Sequence, residues 1–256
     1  MLVVLLLIAH GSRDPRHAAT VTALRQAVAE RRPGLRVEVG FLDFCAPSVP
    51  RVLERLAAEG VGEVVAVPLL LTRAFHAKAD IPAVLAGATA ALPSLSVHQA
   101  PVLGPSSLLT DALERRLRQA GVRDADRSST GVVLASAGSS DPEAIAVIAE
   151  IAREWRHASG WCAVRPAFAS ASSSFPRTED AVRALRRAEG IRRVAVAPYV
   201  LAPGRLPDRI AAGARAGDAD FLANVLGPAP EVAALVLRRY EEAARVTRSV
   251  VVAATG

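Results

Sequence analysis

His10, Asp43 and His76 are the residues of this chain whose types and spacing could do chemistry. Each follows an apolar run that reads as a buried strand: Leu2–Ala9 before His10, Arg36–Leu42 before Asp43 and Glu63–Leu70 before His76. Parallel strands would put all three on one rim. Two imidazoles and a carboxylate make an N/O set suited to a divalent first-row metal such as iron, cobalt or nickel. Around them, Gly11-Ser12 could form a small N–H nest for an anion, and Arg13, Arg73 and Lys78 could pair with carboxylates. There is no Walker loop and no GxGxxG fingerprint, so nucleotide chemistry has no support. The other histidines read as surface residues. His17 falls in the first turn of a helix, where a cation is disfavoured; it could reach the site rim but is expected to be exposed. His98 sits in a strand and His157 at a helix end.

These residues occur in only one half of a duplicated chain. Ile8-Ala9-His10-Gly11-Ser12-Arg13-Asp14-Pro15 returns as Ala135-Ser136-Ala137-Gly138-Ser139-Ser140-Asp141-Pro142. At the same offset Phe41-Leu42-Asp43 meets Phe168-Ala169-Ser170. Val102-Leu103-Gly104-Pro105 is echoed by Val225-Leu226-Gly227-Pro228. The second copy thus has alanine for His10 and serine for Asp43, and its loop after Leu201 contains no histidine. That loop still offers Arg205 to a carboxylate, which a guanidinium matches in a bidentate fork. One metal site per chain is the expectation.

The elements that must position these residues alternate in the manner of parallel α/β units. Beyond the three strands above, Ser96–Leu103 completes the first half, with helices at Pro15–Arg31, Val49–Glu59, Ile81–Ala91 and Ser106–Ala120. Asp14-Pro15 is an N-cap followed by proline at the first helical position, and Asp141-Pro142 repeats it. The second half predicts strands at Val132–Ser136, Cys162–Phe168, Arg193–Val200 and Phe221–Leu226. Its helices are Pro142–His157, Arg177–Glu189, Leu206–Ala216 and Glu231–Arg245. The polar stretch Gly121–Gly131 reads as a linker, and Val250–Ala254 as a possible edge strand. The fold class is α/β: two similar flavodoxin-like domains, 1–123 with the metal site and 130–256 without it, each a mostly parallel sheet flanked by helices. Ligands are expected beyond the carboxyl ends of the strands.

Composition narrows the partners. The content of 51% hydrophobic and 22% charged residues is that of a globular protein. The apolar Met1–Ala9 lacks the basic flank and cleavage site of a signal peptide, and no stretch reaches the length of a membrane span. Cys45 and Cys162 form no CxxC, which argues against a disulfide framework or thiolate zinc site and fits a reducing cytoplasm. The net charge of +6 suits an anionic partner. With 4% aromatics and no basic run, a small polycarboxylate fits better than nucleic acid. Monomer and homodimer remain equally open.

Taken together, Ala9-His10-Gly11-Ser12-Arg13-Asp14-Pro15, Phe41-Leu42-Asp43-Phe44-Cys45-Ala46-Pro47-Ser48 and His76-Ala77-Lys78-Ala79-Asp80-Ile81-Pro82 resemble the sirohydrochlorin chelatases of the CbiX/SirB type. The resemblance covers the whole chain, because two-domain members of that family are themselves tandem repeats. It implies a lyase that inserts a divalent metal (Fe2+, Co2+ or Ni2+, as substrate) into sirohydrochlorin without ATP or organic cofactor, towards siroheme or cobalamin. It makes His10 and His76 the metal pair. The family commonly has glutamate where Asp43 stands; the shorter carboxylate here is expected to assist rather than anchor. The implied substrate has eight carboxylates, which Ser12, Arg13, Arg73, Lys78 and Arg205 could meet. Three rival readings are a metal carrier that never touches a tetrapyrrole, a phosphate binder at Gly11-Ser12 that would tolerate loss of His76, and a regulatory descendant of a chelatase. The retained histidine pair argues against the last.

Overall fold

A computed structural model describes residues 3–72, 80–139, 141–170 and 175–254. Two four-stranded parallel sheets form, each from one sequence repeat. The first contains β1 (Val3–Ala9), β2 (Val37–Phe41), β3 (Glu63–Pro68) and β4 (Ser96–Gln99) in the order β2-β1-β3-β4. The second contains β5 (Thr130–Ser136), β6 (Ala163–Phe168), β7 (Arg193–Tyr199) and β8 (Phe221–Leu222) in the equivalent order β6-β5-β7-β8. Each repeat's first strand is central, which explains its unbroken apolar character: Val4 to Ala9 are buried on both faces of the sheet.

The helices α1 (Pro15–Arg31), α2 (Val49–Ala58), α3 (Ile81–Ala90) and α4 (Ser107–Gln119) lie close to the expected limits. The same holds for α5 (Pro142–Ser159), α6 (Thr178–Arg186) and α7 (Arg205–Ala216). The last, α8 (Pro230–Ala254), is longer than predicted. It absorbs Val250–Ala254, which therefore do not form an edge strand. The β-branched run lowers helix propensity by only tenths of a kcal/mol per residue, and extending an existing helix avoids the cost of nucleation. Gly121–Gly131 is also more ordered than a linker, for Asp124–Ser129 form a 3₁₀ turn. Its Arg127 reaches Glu114 of α4 at 2.6 Å, and the same carboxylate accepts from the indoles of Trp155 and Trp161 at 2.7 and 2.8 Å.

By packing, the chain divides differently from its repeats. One compact unit is Met1–Gly104 with Pro228–Gly256; the other is Pro105–Gly227. Helix α8 covers α1, β3 and β4 of the first sheet, burying Val232, Leu235, Val236 and Tyr240. Helix α4 packs against β7 of the second sheet through a face carrying Leu109, Leu113 and Leu117. The boundary expected at 123–130 therefore divides the sequence but not the packed units, and the last helix of each repeat serves the other repeat's sheet. The units part at the two Gly-Pro echoes, Gly104-Pro105 and Gly227-Pro228.

Equivalent arginines secure both exchanged helices. Arg239 of α8 donates to the carbonyls of Val102 and Leu103 at 2.9 and 3.1 Å. Arg116 of α4 donates to that of Leu226 at 2.7 Å. A guanidinium reaching the carbonyls of the loops after β4 and β8 satisfies acceptors that lie beyond the strand ladders. Among the described residues no helix is long and apolar enough to cross a membrane.

Candidate functional site

The rim of the first sheet is assembled by its backbone. Strands β1, β2 and β3 run parallel, so the residues after Ala9, Phe41 and Pro68 emerge at one end. There the Asp43 N–H donates to the His10 carbonyl at 2.9 Å, and the Leu42 N–H to that of Ala9 at 3.0 Å. The two loops touch at Gly11, whose φ is +95°. A Cβ at this position would stand 1.8 Å from the Asp43 carbonyl oxygen, so both conformation and space demand glycine.

His10 and Asp43 are thus brought side by side, as their strand-end positions predict. His10 is half-buried and Asp43 exposed. One oxygen of the Asp43 carboxylate accepts the Phe44 N–H at 2.8 Å, which orients the group while leaving its other oxygen open. His76, Arg73 and Lys78 lie outside the described residues. The segment that contains them joins β3, the direct neighbour of β1, to the start of α3.

Ser12 has a different part from the one expected. Its hydroxyl oxygen accepts the Asp14 N–H at 3.1 Å, and its own N–H donates to Cys45 Sγ at 3.4 Å. The Ser12 N–H of the expected nest is therefore directed at the protein's own sulfur. The hydroxyl of Ser12 keeps its proton to offer to a ligand. Asp14 caps α1 by accepting the Arg16 N–H at 2.9 Å, and the Arg16 guanidinium grips it side-on, holding its carboxyl below the usual carboxylate range.

Arg13 is exposed, with its guanidinium carbon 5.2 Å from the centre of the Phe44 ring. His17 is not the exposed residue expected of a first-turn histidine. Its ring faces Phe41 at 6.4 Å and its Nδ1 is buried without a hydrogen-bond partner. Burial, and then the proximity of His10, push its pKa down. The imidazole is consequently held neutral beside the rim. Helix periodicity places His17 on the first turn, but its side of α1 shows only once β2 is packed against it.

The second rim repeats this backbone without the chemistry. Ser170 N–H donates to the Ala137 carbonyl at 3.0 Å, and Gly138 again has positive φ, +88°. The Ser170 hydroxyl turns back onto that carbonyl at 2.8 Å. A cavity of about 420 Å³ opens beside it, lined by Phe168, Arg177, Thr178 and Arg209 among others, with no imidazole in its lining among the described residues. Arg205 begins α7 and is exposed.

Comparison with known proteins matches both repeats. The family model described as CbiX matches the chain twice, at residues 4–120 and 131–243. A sirohydrochlorin ferrochelatase of Bacillus subtilis is 27% identical over 94% of the chain and 91% of its own length. A sirohydrochlorin cobaltochelatase of Priestia megaterium is 26% identical over 80% of the chain but 66% of its own length. A cobaltochelatase of Methanopyrus kandleri is 37% identical over 33% of the chain and 59% of its own length. The chain thus spans less than two thirds of the length of these last two relatives. Among solved structures, SirB from Bacillus subtilis with Fe3+ superposes with a TM-score of 0.82 at 25% identity, covering 97% of this chain and 98% of that one. With both repeats matched, and with a rim that keeps the strand-end histidine and carboxylate in the first of them, the chain belongs to the CbiX family.

Proposed function

We propose that the chain inserts a divalent metal, iron, cobalt or nickel, into sirohydrochlorin without ATP, and does so in the cytoplasm. The observation that carries this reading is the Asp43-to-His10 backbone bond, which holds an imidazole and a carboxylate on one rim of the first repeat and finds alanine and serine in the second. Metallation replaces two pyrrole protons by one metal ion and releases both protons. In this reading His10 and His76 hold the incoming ion by neutral imidazole nitrogens, firmly enough to strip water but less tightly than thiolates would. Asp43 sits where it can attract the ion and accept a released proton. Arg13, Arg73, Lys78 and Arg205 pair with substrate carboxylates, and the Ser12 hydroxyl donates to one. Each such partly solvated pair is worth on the order of 1 kcal/mol or less.

The test is an anaerobic absorbance assay of purified protein with sirohydrochlorin and Fe2+, Co2+ or Ni2+ in turn. Spectral conversion faster than the protein-free control supports the chelatase. Metal binding with no conversion for any ion defeats it in favour of a metal carrier.

A further inference from the structure

Phe44 combines two costs that the fold does not recover. It is the most exposed large apolar side chain among the described residues, at 52%. Its φ of +58° is a left-handed conformation that costs a residue with a Cβ about 1–2 kcal/mol. Glycine or asparagine would make this turn without strain, and any polar side chain would expose its surface without penalty. Its backbone N–H is held by the Asp43 carboxylate, and its ring meets Arg13 over one face at 5.2 Å and the His10 ring, nearly parallel to it at 18° with centroids 6.4 Å apart. An exposed cation–π pair contributes about 0.5–1 kcal/mol, which does not offset the strain and the exposure together. A strained, exposed aromatic between two residues of the proposed site points to a partner outside the chain.

We infer that Phe44 is a substrate-contact residue, an aromatic prop on which the macrocycle rests while the metal is delivered. This rests on the chelatase reading above. The orientation follows from the imidazole. A nitrogen lone pair lies in the plane of its ring, so an ion passed from His10 to the centre of a macrocycle crosses a face that stands roughly crosswise to that plane. Phe44, within 18° of the same plane, then meets that face with its ring edge. Edge-to-face contact is a favoured aromatic geometry, because the positive ring edge approaches the electron-rich face. Arg13, lying over the phenyl face, is placed to receive a peripheral carboxylate of the same substrate. The phenyl thereby sets both the height and the lateral position of the macrocycle relative to His10.

The experiment compares Phe44→Gly, Phe44→Leu and Phe44→Tyr with the native chain in steady-state metallation of sirohydrochlorin, using Co2+. Metal affinity is measured calorimetrically without the macrocycle. Phe44→Gly suits the backbone at this φ and is expected to melt no lower than the native chain. It should raise KM for sirohydrochlorin about tenfold, with metal affinity unchanged. Phe44→Tyr should keep KM within about twofold of native, and Phe44→Leu should fall between them. An unchanged KM in Phe44→Gly, full recovery by leucine, or a loss confined to metal affinity would each overturn the inference. Absence of metallation by the native chain would instead defeat the functional reading on which it rests.

Discussion

After β1 and after β5 the chain makes the same turn. Ser12 and Ser139 each accept an aspartate N–H, at 3.1 and 3.0 Å, and Asp14 and Asp141 each cap the following helix at 2.9 Å. Gly11 and Gly138 both have positive φ, and Asp43 and Ser170 both donate a backbone N–H to the residue at the strand end. What differs is what projects from this shared frame. The first turn presents His10, with Asp43 held outward by the Phe44 N–H, whereas the second presents Ala137 and a serine folded back onto the backbone. The serine–aspartate cap is therefore architecture, present with or without a metal site. Chemistry resides in the side chains that the second copy lacks.

The sharpest way to break this contrast is to make the first rim like the second. His10→Ala should lower metal insertion by more than about 100-fold, since losing even a group behind a ligand typically costs 10- to 100-fold. Near-normal turnover in the absorbance assay would remove His10 from the site. The reverse change, Ala137→His, should add no second metal by calorimetry, because neither Ser170 nor the loop after Leu201 supplies a second imidazole.

The next test concerns the glycines. Gly11→Ala drives a methyl onto the Asp43 carbonyl, whereas at Gly138 the nearest atom is the Ser170 hydroxyl at 2.8 Å, which can rotate away. Both substitutions carry the left-handed strain of about 1–2 kcal/mol; Gly11→Ala adds a backbone overlap at 1.8 Å, against a merely tight 3.1 Å to the Ser170 carbonyl oxygen at Gly138. In a chain of this size each kcal/mol is worth about 2–4 °C. Thermal melts should show a loss of about 4 °C for Gly138→Ala and at least twice that for Gly11→Ala. Equal losses would show that the two turns are equally roomy.

A smaller effect is expected at the carboxylate. Asp43→Asn preserves shape and the bond from Phe44 but removes the charge, and should slow insertion about tenfold, the range of general acid–base or outer-shell assistance. Complete loss of metal affinity would make Asp43 a primary ligand instead. The smallest effect belongs to His17. Its pKa is depressed in the fold, so below its ordinary value of 6.5 the unfolded chain binds the proton more readily. Stability from this group is present above pH 6.5 and is lost as pH falls towards the depressed value. His17→Gln should flatten the pH dependence of Tm in that interval, and an unchanged slope would show that His17 titrates as if exposed.

Three strands of each repeat, seven of the helices and the Asp-Pro caps were legible because each rests on local pattern: unbroken apolar runs for central strands, and a capping carboxylate before proline; the edge strands expected at Ser96–Leu103 and Phe221–Leu226 stop at Gln99 and Leu222. The adjacency of His10 and Asp43 was legible as well, since parallel strands deliver their ends to one edge. The exchange of α4 and α8 was not. Their apolar faces, Leu109-Leu113-Leu117 and Val232-Val236-Tyr240, state that each helix must be covered but not by which of two similar sheets. Phe44 was hidden for another reason, because neither a left-handed φ nor exposure leaves a mark on a phenylalanine codon. The part of Ser12 in the turn was not legible either, because a serine beside glycine suits an anion nest and a turn before a helix equally, and its partner Cys45 is distant in sequence.

The exchanged helix has a consequence for how the molecule is made. The unit that carries His10 lacks the cover of β3 and β4 until α8 has been synthesised, and α8 follows every element of the other unit. The whole of the other unit must first leave the ribosome, a delay on the order of ten seconds at ordinary translation rates. The half that begins first is therefore the half completed last. A chain stopped after Gly227 would retain every residue of Pro105–Gly227 and every candidate metal ligand, yet lose the helix and the Arg239 clasp that close the ligand-bearing unit.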